Sequence, residues 1–101
     1  MTPRSKPEAM LTSLAFDDLK KLSGNVRRQM IIAIDELEQN PRPSNSKRLV
    51  IEGETREIRR LRSGKWRIVY LVLDERSLIL AIRRRPPYDY DDLQRLIDDA
   101  D

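Results

Sequence analysis

Neither cysteine nor histidine occurs among the 101 residues. Without thiols there is no disulfide framework and no thiolate nucleophile, a composition at home in a reducing compartment. Without imidazole the usual general base and the commonest metal ligand are missing, so catalysis at neutral pH falls to carboxylates, tyrosine, lysine or arginine. Clustered aspartates with neither a histidine nor a coordinating loop do not make a metal site, and no cofactor is expected. No stretch approaches the roughly 18 apolar residues of a membrane span, and the opening MTPRSKPEAM lacks the apolar run of a signal peptide. A soluble cytoplasmic protein with no membrane partner is the expectation.

What is present is charge, and it is segregated. Charged residues make up 37% of the chain and leave a net charge of only +3, yet between Arg56 and Val72 six basic residues (Arg56, Arg59, Arg60, Arg62, Lys65, Arg67) meet a single acid, Glu57. From Tyr88 onward six aspartates meet only Arg95. A basic middle and an acidic tail point to a polyanionic partner for the former. The length and a 39% hydrophobic content suit one domain, residues 1–101, with a modest core. Residues 1–7, with two prolines and two basic side chains, read as flexible.

Periodicity supplies the elements. A short strand is expected at about 8–13. Phe16, Leu19 and Leu22 then mark an amphipathic helix ending near Ser23-Gly24, and Asn25 is placed to cap a second one. Val26, Met30, Ile31, Ile34 and Leu37 give that helix its apolar face, with Ile31, Ile34 and Leu37 expected in the core, and Asn40-Pro41 closes it. A polar, proline-bearing loop leads past Lys47 and Arg48 to a hairpin turning at Ser63-Gly64-Lys65. Its returning strand, Trp66 to Leu73, is apolar on most of both faces and should be central. A turn at 74–77, a strand over 78–84, a stop at Pro86-Pro87 and a helix over 89–100 with an acidic first turn complete the chain. The fold class is α+β in two layers: an N-terminal helix hairpin on a small antiparallel sheet of three to four strands, with a short C-terminal helix.

Four segments in this order carry a resemblance to a known family: FDDLKKLSGNVRRQMIIAIDELEQNPRP, SKRL, IRRLRSGKWRIVYLV and LILAIRRRPPYDY. Together they resemble the RelE/ParE toxin superfamily, and within it the RelE-like mRNA interferases. The resemblance spans nearly the whole chain. It implies a toxin neutralised by a cognate antitoxin, acting without a metal as an endoribonuclease on mRNA in the ribosome. Carried over by position, it implies catalytic roles for Arg60, Arg67, Arg85 and a tyrosine that is Tyr88 or Tyr90. Arg60 and Arg67 would stabilise charge on the phosphorus, Arg85 would act as acid or second clamp, and the tyrosine would stack on a base or move a proton. Arg59, Arg62, Lys65, Arg84, Lys47 and Arg48 are the candidate RNA contacts.

The chain departs from the family pattern at several positions. A basic position two residues before Arg60 is Ile58, the lysine usual at position 60 is arginine, and a Gly-His-Arg motif reads Arg83-Arg84-Arg85. Arginine clamps phosphate well but does not deprotonate, so it is a poor base. Two alternatives remain at this level: a ParE-like inhibitor of a topoisomerase, or a non-catalytic binding member of the fold. Trp66 and Tyr70 read as core or rim, Arg59 as a partner for Glu57 or an aspartate of the tail, and the tail aspartates as a solvated face.

Overall fold

The strand Trp66–Leu73 (β4) lies at the centre of the sheet, as its two apolar faces require. The computed structural model describes residues 10–100. In chain order it contains β1 (Met10–Leu11), α1 (Ser13–Lys20), α2 (Gly24–Gln39), β2 (Ser46–Leu49), β3 (Glu57–Ser63), β4, β5 (Arg76–Arg84) and α3 (Leu93–Ala100). The sheet order is β1-β5-β4-β3-β2, antiparallel throughout except for β1, which runs parallel to β5.

Alternation along β4 divides the interior in two. Ile68, Tyr70 and Val72 point to the α1-α2 hairpin and pack with Ala15, Met30, Ala33, Ile34 and Leu37. Val69 and Leu71 point the other way and pack with Ile58, Leu80, Leu96 and Ile97. The terminal helix therefore covers the face opposite the hairpin. The register between β4 and β5 slips between Val69 and Tyr70, which pair with Ala81 and Ile79 and leave Leu80 as an extra residue on β5. Leu80 and Ala81 consequently both join the α3 side, and every later side chain of β5 changes face relative to an unbroken strand.

Several expectations shift in detail. The sheet has five strands instead of three or four, because Ser46–Leu49 pairs with β3 and Met10–Leu11 with β5. The expected first strand was longer; its residues 8 and 9 lie outside the described ones. Ile31 is 43% exposed and not core: the buried stripe runs Met30, Ala33, Ile34, Leu37, and Ile31 lies about 100° around the helix from Met30. Ser23, not Asn25, occupies the N-cap of α2. The first helix begins earlier, at Thr12, whose hydroxyl accepts from the Ala15 N–H at 3.1 Å, and ends at Lys20 with Arg27 donating to the carbonyls of Leu19, Lys20 and Leu22. The last helix starts at Leu93, so Asp89, Asp91 and Asp92 precede it, and no acid lies in its first turn.

Ion pairs fasten the loops. Arg42 donates to Glu57 at 2.8 and 3.0 Å and to Glu75 at 2.9 and 3.0 Å, joining the exit of α2 to β3 and the β4-β5 turn. The Tyr70 hydroxyl donates to the Pro41 carbonyl at 2.7 Å. Within the β2-β3 loop Arg56 donates to Glu54 from both its guanidinium and its backbone N–H.

Two outcomes follow from this packing. Leu37→Ala, at a site with 0% exposure, is expected to cost ~2–5 kcal/mol, read as a lower urea midpoint at unchanged m. The hydrogen bonds from Arg56 hold the Glu54 carboxyl down at about 2, against 4.5 ordinarily. A depressed folded-state pKa gives stability that is complete above the unfolded value and is lost as pH falls toward the folded one. Glu54→Gln should therefore flatten the stability profile between about pH 4.5 and pH 2 by lowering its neutral-pH plateau, as urea unfolding across that range will show.

Candidate phosphate-binding site

Strand pairing lines up the basic side chains on the α3 face of the sheet. Lys47 of β2 pairs with Arg60 of β3, and Arg62 of β3 pairs with Arg67 of β4. Opposed like charges repel in a cross-strand pair, so both rungs are held by the sheet at an electrostatic cost. These four side chains and Leu49 line a cavity of about 360 Å³, which is completed by Arg85 and Tyr90 from the segment after β5. No acidic side chain lines it.

The cluster's side chains have no carboxylate partner among the described residues. Arg42, Arg56, Arg59 and Arg83 each pair with a carboxylate, and Arg76 lies 3.9 Å from the buried Glu38. By contrast, the side chains of Lys47, Arg60 and Arg62 make no hydrogen bond or ion pair with any described residue. Arg67 is anchored through one nitrogen: Nη1 donates to the Gly64 and Trp66 carbonyls at 2.9 and 3.0 Å, across the turn where Gly64 adopts φ +59°. The Arg85 guanidinium stands 5.2 Å from the centre of the Tyr90 ring.

The two candidate tyrosines separate. Tyr88 donates its hydroxyl to Asp92 Oδ1 at 2.6 Å, and burial followed by that hydrogen bond pushes its phenol far above the usual tyrosine range. It is a permanent donor tied to the start of α3. Tyr90 is the one at the cavity. Its hydroxyl is buried without a hydrogen-bond partner among the described residues, and its backbone sits at φ +67°, a left-handed conformation that a non-glycine residue adopts at some cost. Tyr88 supports it edge-on, the ring centres 4.7 Å apart and the planes 60° from each other. An anion entering the cavity would meet four guanidinium groups, one ammonium group and the side chain of Tyr90.

The remaining sequence candidates lie elsewhere. Arg59 is opposite Tyr70 on the hairpin face, donating to Glu57 at 3.0 Å and to the Ser46 hydroxyl. Arg48 lines a separate groove with Glu54 and Arg56. Lys65 is exposed in the β3-β4 turn. Arg84, paired opposite Trp66, lines a groove with Pro87 and Tyr88. Ile58, the departure from the family pattern, is fully buried under α3. No tail aspartate pairs with a cavity arginine among the described residues; Arg83 alone reaches one, Asp92 at 3.7 Å. Leu49 went unnoticed in the sequence because a four-residue strand with one apolar side chain carries no readable alternation. Among the described residues no group of three or more acidic side chains converges on a metal-sized site.

Known proteins match this chain in sequence pattern and in fold. The family model for the ParE toxin of type II toxin-antitoxin systems, parDE, matches residues 9–86. The archaeal RelE of a RelE-RelB complex from Pyrococcus horikoshii OT3 superposes with a TM-score of 0.68 at 23% identity, over 82% of this chain and 99% of that one. A chain of the RelBE2 toxin-antitoxin complex of Mycobacterium tuberculosis gives 0.65 at 25% identity, over 77% and 96%. The free E. coli toxin RelE, as its R81A/R83A mutant, gives 0.56 at 22% identity, over 92% of each chain. No curated protein matches in sequence. With its family pattern matched over most of its length and its sheet and helices arranged as in RelE, the chain belongs to the RelE/ParE superfamily of type II toxin-antitoxin toxins.

Proposed function

We propose that this toxin is a ribosome-dependent endoribonuclease that cleaves mRNA during translation and is held inactive by a cognate antitoxin in the cytoplasm. The observation that carries the reading is the cavity lined by five basic side chains and Tyr90 with no carboxylate. In such a reaction the 2′-hydroxyl gives its proton to solvent water as its oxygen attacks phosphorus. The P–O5′ bond then breaks, leaving a cyclic phosphate on one fragment and on the other a 5′-oxygen that takes a proton from water. Negative charge grows on the phosphoryl oxygens, and Arg60 and Arg67 are placed to receive it as planar, permanently charged donors. Arg62 and Lys47 extend the positive surface along the strand for flanking phosphates. Arg85, stacked on Tyr90, is the candidate group beside the leaving oxygen, and the Tyr90 face and hydroxyl serve to seat a base or a phosphoryl oxygen.

The lining is rich in charge stabilisation and poor in bases. Arginine at position 60 cannot take a proton. In-line placement of the 2′-hydroxyl, an effect of the size that orientation supplies in other enzymes, about 7–11 kcal/mol, then falls to the framework holding the message, which fits a requirement for the ribosome. An antitoxin partner is supported by the RelE relatives solved as complexes with RelB. A second reading, inhibition of a topoisomerase through protein contact, is favoured by the match to the ParE family pattern.

Induced expression in a bacterial host, followed by primer extension on a reporter mRNA with and without its start codon, decides between them. Cuts confined to the translated message, and a fall of about 10²–10³ in rate with Arg60→Gln, are expected. Growth arrest with intact mRNA that persists in Arg60→Gln would replace the nuclease with the topoisomerase inhibitor. Absence of arrest would leave a binding module.

A further inference from the structure

Arg83 lies beside the basic cavity yet is not part of it, and its surroundings on both flanks of β5 explain why. Toward the helix hairpin it forms a close ion pair with Asp18 of α1, a carboxylate whose side chain is only 12% exposed and which also accepts the Ile82 backbone N–H at 3.0 Å. Asp18 thus caps the edge of β5 beyond the point where β1 stops pairing. Toward α3, Arg83 Nη2 stands 3.7 Å from Asp92, and the other oxygen of that carboxylate receives the Tyr88 hydroxyl at 2.6 Å. The Arg83 guanidinium is 5.9 Å from the Tyr88 ring centre, Tyr88 leans on Tyr90, and Tyr90 carries Arg85. The contacts run without a gap from the first helix to the cavity.

We infer that Arg83 and Asp92 are positioning residues: they form a clasp, anchored on Asp18, that holds Tyr88 and through it sets Tyr90 and Arg85 at the mouth of the basic cavity. The arginine triplet Arg83-Arg84-Arg85 thereby has unequal members. Arg83 is engaged by two carboxylates, whereas Arg85 has no carboxylate partner among the described residues. The clasp also has a reason to exist. Tyr90 holds a left-handed backbone and a buried, unpartnered hydroxyl, a combination that persists only where surrounding contacts over-determine it.

The catalytic consequence rests on the nuclease reading, but the geometric one does not, so the test has arms for each. The full-length protein and its Arg83→Gln, Asp92→Asn and Arg85→Gln variants are titrated with a single-stranded RNA oligonucleotide at several salt concentrations. Tyr88-Tyr90 ring contacts are followed by NMR in the same samples. Arg85→Gln should reduce the log-log salt slope by about 0.7, the share of one phosphate contact on a single strand. Arg83→Gln and Asp92→Asn should act alike: each abolishes the contacts between the tyrosine rings, reduces the slope by no more than Arg85→Gln does, and lowers cleavage of ribosome-bound mRNA about tenfold to a hundredfold. If Arg83→Gln fails to fold, Asp92→Asn, which keeps the Arg83-Asp18 pair, carries the same expectations. A slope reduced by Arg83→Gln but unchanged in Asp92→Asn, or ring contacts that survive Asp92→Asn, overturns the clasp. Wild-type protein that binds but never cuts, with slope and ring contacts behaving as stated, removes the nuclease and keeps the clasp.

Discussion

One extra residue in β5 determines where the arginines at the end of that strand lie. Because the ladder slips at Leu80, opposite Val69 and Tyr70, the side chains that follow change face: Ile82 packs under the helix hairpin, while Arg83 falls opposite Arg67 on the α3 side. An unbroken strand would send Arg83 and Arg85 toward the hairpin and Arg84 toward the cavity. A one-residue bulge moves every side chain after it to the opposite face, since the pleat has a period of two. The basic cavity is complete only because of it.

Around this constraint the protein sorts its charges. Acidic side chains go where loops and edges need fastening. Glu57 and Glu75 bind Arg42, Glu54 binds Arg56, and Asp18 closes the β5 edge. Between them these carboxylates take Arg42, Arg56 and Arg83 out of the pool available to a ligand. Lys47, Arg60, Arg62 and Arg67, which have no carboxylate partner among the described residues, share a single face, where Arg62 opposes Arg67 and Lys47 opposes Arg60 across the ladder. Such opposition weakens the free protein and is relieved when an anion enters, so the same repulsion that opposes folding adds to binding. This is the physical form in which a nearly neutral chain presents a strongly positive site.

The tyrosines show a comparable division. Tyr88 is satisfied, buried and bonded to Asp92; Tyr90, two residues on, is strained and unsatisfied at the cavity. Their sequence context, Pro-Pro-Tyr-Asp-Tyr, gives no means of ranking them. The difference comes from where α3 begins, because Asp92 stands immediately before it and fixes Tyr88 there. A helix extending over 89–100 would have absorbed both tyrosine neighbours into its first turn.

The sequence by itself determined the types of most elements, the central place of β4, and the available chemistry. Periodicity reports which side chains are apolar, and the absence of histidine and cysteine leaves carboxylates, tyrosine, lysine and arginine as the working groups. It also placed Arg60, Arg67 and Arg85 among the site candidates. Where it failed, the deciding information was not local. Ile31 reads as core as plausibly as Ala33 until the hairpin packs; Ser46–Leu49 is a strand only because β3 offers it an edge. Arg59 and Arg60 are equivalent in charge and adjacent in sequence, yet one is paired beneath the hairpin and the other faces the cavity. Only the tertiary structure decided which arginines stay free. That choice depends on face parity, on a one-residue bulge, and on carboxylates as distant in the chain as Asp18 is from Arg83, 65 residues apart, and long-range pairing of this kind leaves no mark on the composition of either segment.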